Sequence, residues 1–94
     1  SKWDIEKFTG SNDFGLWKVK VGAILIQQKC VEALKGDAHM PANLSTEEKT
    51  EMNDKALSAI ILCLGDKVLR EVAKETSVVA MWTKLDSLYM TKSL

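Results

Sequence analysis

A chain of 94 residues is long enough for one domain and too short for two. Its composition, 46% apolar and 28% charged, is that of a folded globule and excludes intrinsic disorder. Thirteen Lys and Arg balance thirteen Asp and Glu, so the general electrostatic attraction of a stand-alone nucleic-acid binder is missing.

The longest strictly apolar run, Ala59-Ile60-Ile61-Leu62-Cys63-Leu64, falls far short of the ~20 residues a membrane span needs. No charged-then-apolar leader opens the chain, so no signal peptide is expected. Cys30 and Cys63 sit among apolar residues, far apart, with His39 the lone histidine. That pattern predicts buried free thiols in a reducing compartment rather than a disulfide framework or a zinc site.

The opening residues alternate, with Trp3, Ile5 and, less regularly, Phe8 separated by charges. This period-two pattern predicts a short extended arm over 1–11 that ends at Thr9-Gly10-Ser11. Asn12 or Asp13 can cap the helix that follows, expected over roughly 13–33. Its stronger apolar line runs through Phe14, Trp17, Val21 and Ile24/Leu25 to Gln28. A second line through Leu16, Val19, Ala23, Ile26 and Cys30 lies beside it. A helix so apolar around its circumference is expected to be packed on two sides. Gly22 within it is either a tolerated surface glycine or a point where another backbone comes close.

Lys35 to Asn43 reads as a loop, with Gly36 available to end the first helix and Pro41 forbidding regular helix around it. Ser45-Thr46-Glu47-Glu48 matches a capping box, in which Ser45 and Glu48 satisfy each other's open amides and start a helix over 45–64. Glu47, Glu48 and Glu51 also suit the positive end of that helix. Its first turns should be wet and its last two buried. Asp66 is expected to cap a short helix over 66–74. Thr76 or Ser77 starts another over 77–90, with Val78, Met81, Trp82, Leu85, Leu88 and Tyr89 on one stripe.

Chemistry-bearing constellations are scarce. His39 in a Pro-adjacent loop has no recognisable nucleophile beside it, and the glycines form no phosphate-cradling loop. An enzyme is therefore excluded on residue inventory, and no cofactor, metal or small-molecule substrate is expected. Lys18 and Lys20 point roughly 200° apart on a helix and form no single RNA-facing strip. Charge is nonetheless divided between helices: the first carries mostly Lys, whereas the second begins with Glu47, Glu48, Glu51 and Asp54. Such opposed charges either orient one copy against another or are ordinary solvated faces.

Several segments resemble the start of the Gag polyprotein of copia-type LTR retrotransposons, particularly those of plants. They are Ile5-Glu6-Lys7-Phe8-Thr9-Gly10-Ser11-Asn12, Trp17-Lys18-Val19-Lys20, Asp54-Lys55-Ala56-Leu57-Ser58-Ala59-Ile60 and Glu71-Val72-Ala73-Lys74-Glu75-Thr76. The most telling is Met81-Trp82-Thr83-Lys84-Leu85-Asp86-Ser87-Leu88-Tyr89-Met90-Thr91-Lys92-Ser93-Leu94, which resembles the family's Trp-x-x-Leu-x-x-x-Tyr signature and its following link. The resemblance implies a capsid-forming protein that assembles into cytoplasmic virus-like particles enclosing the element's RNA. It also implies the N-terminal part of the capsid region, without the zinc knuckle, protease, integrase and reverse transcriptase. Nucleic acid would then be contacted only through downstream regions. The family commonly has a longer side chain at the position of Gly22 and a Gly near that of Lys29. Relatives also run on past the position of Leu94, so the fold is expected to be cut before its natural end. An excised Gag segment and a domesticated fragment serving a host as a protein-interaction module both fit.

Together these readings predict an all-α domain over 1–94: a small bundle of four or five helices behind an extended arm, like the N-terminal domain of a retroviral capsid. The expected core is Phe8, Phe14, Trp17, Val21, Leu25, Ile60, Leu64, Trp82, Leu85 and Tyr89. Truncating Trp82 to Ala should then cost roughly 3–5 kcal/mol. Four short helices cannot cover both sides of the first one. Other copies of the chain are thus the expected partners, through Trp3, Ile5, Val19 and Ile26. No membrane partner is expected.

Overall fold

The computed structural model describes residues 4–90. It is all-α: helices α1 (Phe14–Gln27), α2 (Thr46–Leu62), α3 (Asp66–Val72) and α4 (Val78–Tyr89), with 3-10 turns at Val31–Lys35 and Asp37–His39 between the first two. No strand forms among the described residues, but the arm makes one parallel bridge, Phe8 with Leu64.

Each α-helix starts where a short polar side chain or a close backbone contact demands it. The Asp13 carboxylate accepts from the Leu16 amide at 2.9 Å and caps α1. Asn12 instead closes the preceding turn, accepting from the Thr9 amide and donating to the Lys7 carbonyl, both at 2.9 Å. The α2 capping box is complete: the Ser45 hydroxyl accepts from the Glu48 amide at 3.0 Å, and the Glu48 carboxylate accepts from the Ser45 amide at 2.8 Å. The bond from the Ser45 amide, helped by the Ser45 hydroxyl, holds the Glu48 carboxyl below its ordinary range. Ser77 caps α4 through the Ala80 amide, and Asn53 reaches across from α2 to accept from the Val78 amide at 2.9 Å.

Three boundaries differ from the sequence expectation. The first helix ends at Gln27, not near residue 33. Lys29 takes a positive φ of 60°, the Lys29 amide donates to Ile26 O at 3.0 Å, and the Cys30 amide donates to Leu25 O at 2.9 Å. This is the Schellman pattern, completed by burial of both Leu25 and Cys30. Gly36 lies further on, closing the first 3-10 turn instead. Asp66 is not the cap of α3, which ends at Val72 rather than Lys74. Gly65 takes the cap position because its amide donates to Phe8 O at 2.9 Å, and a Cβ there would meet that oxygen at 3.3 Å. Asp66 becomes the first helical residue, its carboxylate at the positive end of the helix.

One core joins all four α-helices and the 3-10 turn at Val31–Lys35. Phe8, Phe14, Trp17, Val21, Leu25, Ile60, Leu64 and Leu85 are buried in it, together with Val68, Val72, Val78 and Met81. Cys30 and Cys63 are buried free thiols, and desolvation pushes both thiols above their ordinary pKa. Trp82 and Tyr89 are the exceptions among the expected core residues: both are half-buried and pack against its edge. The tryptophan that fills the interior, beside Phe8 and Phe14, is Trp17. Its indole Nε1 donates to Cys63 O at 2.8 Å, and its ring stacks on Phe14 at 5.7 Å. The ~3–5 kcal/mol truncation cost of a buried tryptophan therefore belongs to Trp17 rather than Trp82.

Lys29 carries a testable consequence. A side chain in the left-handed region costs roughly 1 kcal/mol relative to glycine. Lys29→Gly should raise the urea midpoint of the chain with an unchanged m-value; a lower midpoint would contradict this account of how α1 stops.

Candidate self-association surface

The buried and exposed residues of α1 separate by helical geometry. At 100° per residue, Phe14, Trp17, Val21, Ile24 and Leu25 gather on one side, and these are the residues α1 buries. Leu16, Val19, Ala23 and Ile26, spaced three, four and three, gather roughly opposite. All four are exposed, Val19 at 71%, Ile26 at 62% and Leu16 at 51%. The helix thus has two apolar stripes, and its own chain covers one. Gly22 borders the outer stripe, and a Cβ built there meets nothing within 4 Å.

Not every residue expected to meet another copy lies on that stripe. Val19 and Ile26 do. Ile5 is half-buried and packs against the chain's own core, because the Phe8 amide donates to Cys63 O at 3.1 Å and draws the arm inward. Trp3 lies outside the described residues. Cys30, grouped with the outer line in the sequence, is turned into the core by the reversal at Lys29. Three large exposed apolar residues were not among the expected contacts: Leu16, Leu62 and, at 39%, Met90. Leu16 was visible as a member of the second line. Leu62, 73% exposed, stood within the apolar run 59–64, but it sits roughly 200° from Ile60 and so faces away from the core.

A second feature lies on α2. A groove of about 740 Å³ runs along its outer face and is bounded on one side by Ile24 of α1 and by Gln28 just past its end. Cys63 and Ala59 line its apolar end beside Leu62, while Glu47, Glu51 and Asp54 line the other end, with Lys55 between. At the far side of α1, Lys18 pairs with Asp86 of α4 at 2.7 Å and lies over the Trp82 ring at 5.0 Å. This clamp fixes α1 against α4 and uses the charge of Lys18 within the protomer. Tyr89 closes the aromatic group around Phe8, edge-on at 4.8 Å, and its hydroxyl donates to the Glu71 carboxylate. Among the described residues no cluster of His, Cys, Asp and Glu has the arrangement to hold a metal ion, and no helix is long and apolar enough to cross a membrane.

Residues 21–94, which include most of this surface, match the family model described as gag-polypeptide of LTR copia-type. The chain belongs to the copia-type Gag family. It is also 36% identical over 93 residues to the retrovirus-related Pol polyprotein from transposon TNT 1-94 of Nicotiana tabacum, a match that covers 99% of this chain and 7% of that relative. The chain thus spans only a small part of the length of that relative. No solved structure matches it.

The Tyr89 contact gives a direct pH prediction. Burial, the bond to Glu71 and the charge of Glu71 together push the phenol up to about 12. The unfolded chain ionises near 10, so it releases this proton first, and the contribution to stability is lost between about pH 10 and 12. Tyr89 is the single tyrosine, so absorbance at 295 nm reads it alone against a constant tryptophan background. The native midpoint should lie well above 10 and fall towards 10 in Glu71→Ala; equal midpoints in the two proteins would contradict the contact.

Proposed function

We propose that this Gag domain is a structural unit of a retrotransposon capsid. Its copies associate to build cytoplasmic virus-like particles around the element's RNA. The exposed apolar stripe of α1 is the observation that carries this reading. A helix that keeps Leu16, Val19 and Ile26 in water gains by placing them against a second protein surface. The stripe is narrow, so one contact is weak, and assembly strength comes from many such contacts acting together. Weak single contacts suit a particle that must later come apart. The zero net charge supports a division of labour in which other parts of the polyprotein hold the RNA.

A second reading, an interaction module retained by a host, draws on the groove along α2, whose size and mixed lining suit a helical peptide. Sedimentation equilibrium of the 94-residue chain separates the two. The weight-average mass should rise steadily with concentration into the millimolar range, and a strict monomer at that concentration would overturn the capsid reading in favour of the module.

A further inference from the structure

If copies associate through the outer stripe, a receiving surface must suit both its apolar residues and its charges. Those charges are all of one sign. Between Phe14 and Gln27 there are two lysines and no acid, and Lys29 follows the helix end. Lys18 is occupied by Asp86. Lys20, roughly 40° from Leu16 on the helix, and Lys29 are exposed and make no ion pair among the described residues. A fitting receptor is therefore apolar along part of its length and acidic along the rest.

The α2 groove has that composition. Its apolar end holds Ala59, Leu62 and Cys63, and its other end holds Glu47, Glu51 and Asp54 against the single Lys55. The three carboxylates make no ion pair among the described residues. Lengths agree too, since 14 residues of α1 span ~21 Å and 17 residues of α2 span ~25 Å. Run antiparallel, with Leu16 and Val19 against Leu62 and Ala59, α1 brings Lys20 level with Ser58, about one turn (~6 Å) from Asp54, and Lys29 to a level between Glu51 and Glu47. Run parallel, it sets Leu16 against the acids and Lys29 against Leu62. A two-fold contact of α1 on α1 is disfavoured for the same reason, because it draws the two Lys20 ammonium groups together with no carboxylate on either helix.

We propose that the outer stripe of α1 docks antiparallel in the α2 groove of a second copy. This rests on the self-association reading and adds its geometry: each copy offers one α1 and accepts one. Repeated head to tail from copy to copy, such a contact continues into rings or extended arrays.

Charge exchange tests it, with circular dichroism confirming that each variant is helical. Lys20→Glu with Lys29→Glu should weaken association at least about tenfold, as should Glu51→Lys with Asp54→Lys. All four changes in one chain should restore it, because the reversed stripe then meets a reversed groove. An equimolar mixture of the two double variants should also regain association, with the variants alternating along the array, because each one's stripe then meets a groove of opposite charge on the other. If association persists in the wild-type chain but the groove variant leaves it unchanged, or the fourfold variant stays as weak as its parents, the groove assignment is overturned while self-association stands. A wild-type chain that stays monomeric would instead remove the self-association reading itself.

Discussion

The carbonyl oxygen of Cys63 ties three segments of this domain together. It lies at the end of α2 and accepts both the Phe8 amide of the arm, at 3.1 Å, and the buried indole N–H of Trp17 in α1, at 2.8 Å. A buried indole donor without an acceptor carries a penalty of about 1–3 kcal/mol, so this bond fixes the rotation of α1 about its own axis. Once Trp17 points inward, Phe14, Val21 and Leu25 follow into the core, and Leu16, Val19 and Ile26 are turned outward by helical geometry alone. The exposed stripe is thus a consequence of how the protomer folds, not a local accident of side-chain placement.

The same junction explains the arm. Phe8 inserts among Phe14, Trp17 and Tyr89, while its carbonyl accepts from the Gly65 amide and leaves no comfortable room for a Cβ at that position. Backbone pairing on both sides of Phe8 makes the arm part of the core, and Ile5 packs beside it. Ile5 and Phe8, held in this way, are not free to tether one copy to another, which fits the proposed contact between α1 and α2. Both surfaces lie on helices rather than loops, so their apolar and charged residues keep fixed spacings. That is what a repeated contact between identical copies requires.

Local signals made much of this architecture legible. Ser45 and Glu48 announced α2 because a capping box is a property of four adjacent residues, and Thr76 or Ser77 marked the start of α4, where Ser77 proves to be the cap. The inward stripe of α1 followed from periodicity, which depends only on spacing. The sequence was silent where a distant segment decided the outcome. Gly65 displaced Asp66 as a cap because the arm crosses there, a contact between residues far apart in the chain. Lys29 hid the end of α1, since a lysine gives no hint that it will take a left-handed conformation. Trp82 and Tyr89 shared a stripe with Leu85 yet stay half-buried, because the arm and α1 fill the interior first. On the candidate surface, Val19 and Ile26 were readable, Leu62 was hidden inside an apolar run, and the groove was beyond reach because it needs α1 and α2 side by side.

What α1 does with its second apolar stripe is the central question, and amide chemical shifts recorded over a dilution series answer it residue by residue. Two-dimensional nitrogen–proton spectra of the labelled chain should show concentration-dependent shifts confined to the outer face of α1, around Val19, Ala23 and Ile26, and to the groove face of α2. Shifts centred on α3 and α4, with the outer face of α1 unmoved throughout the series, would contradict the account.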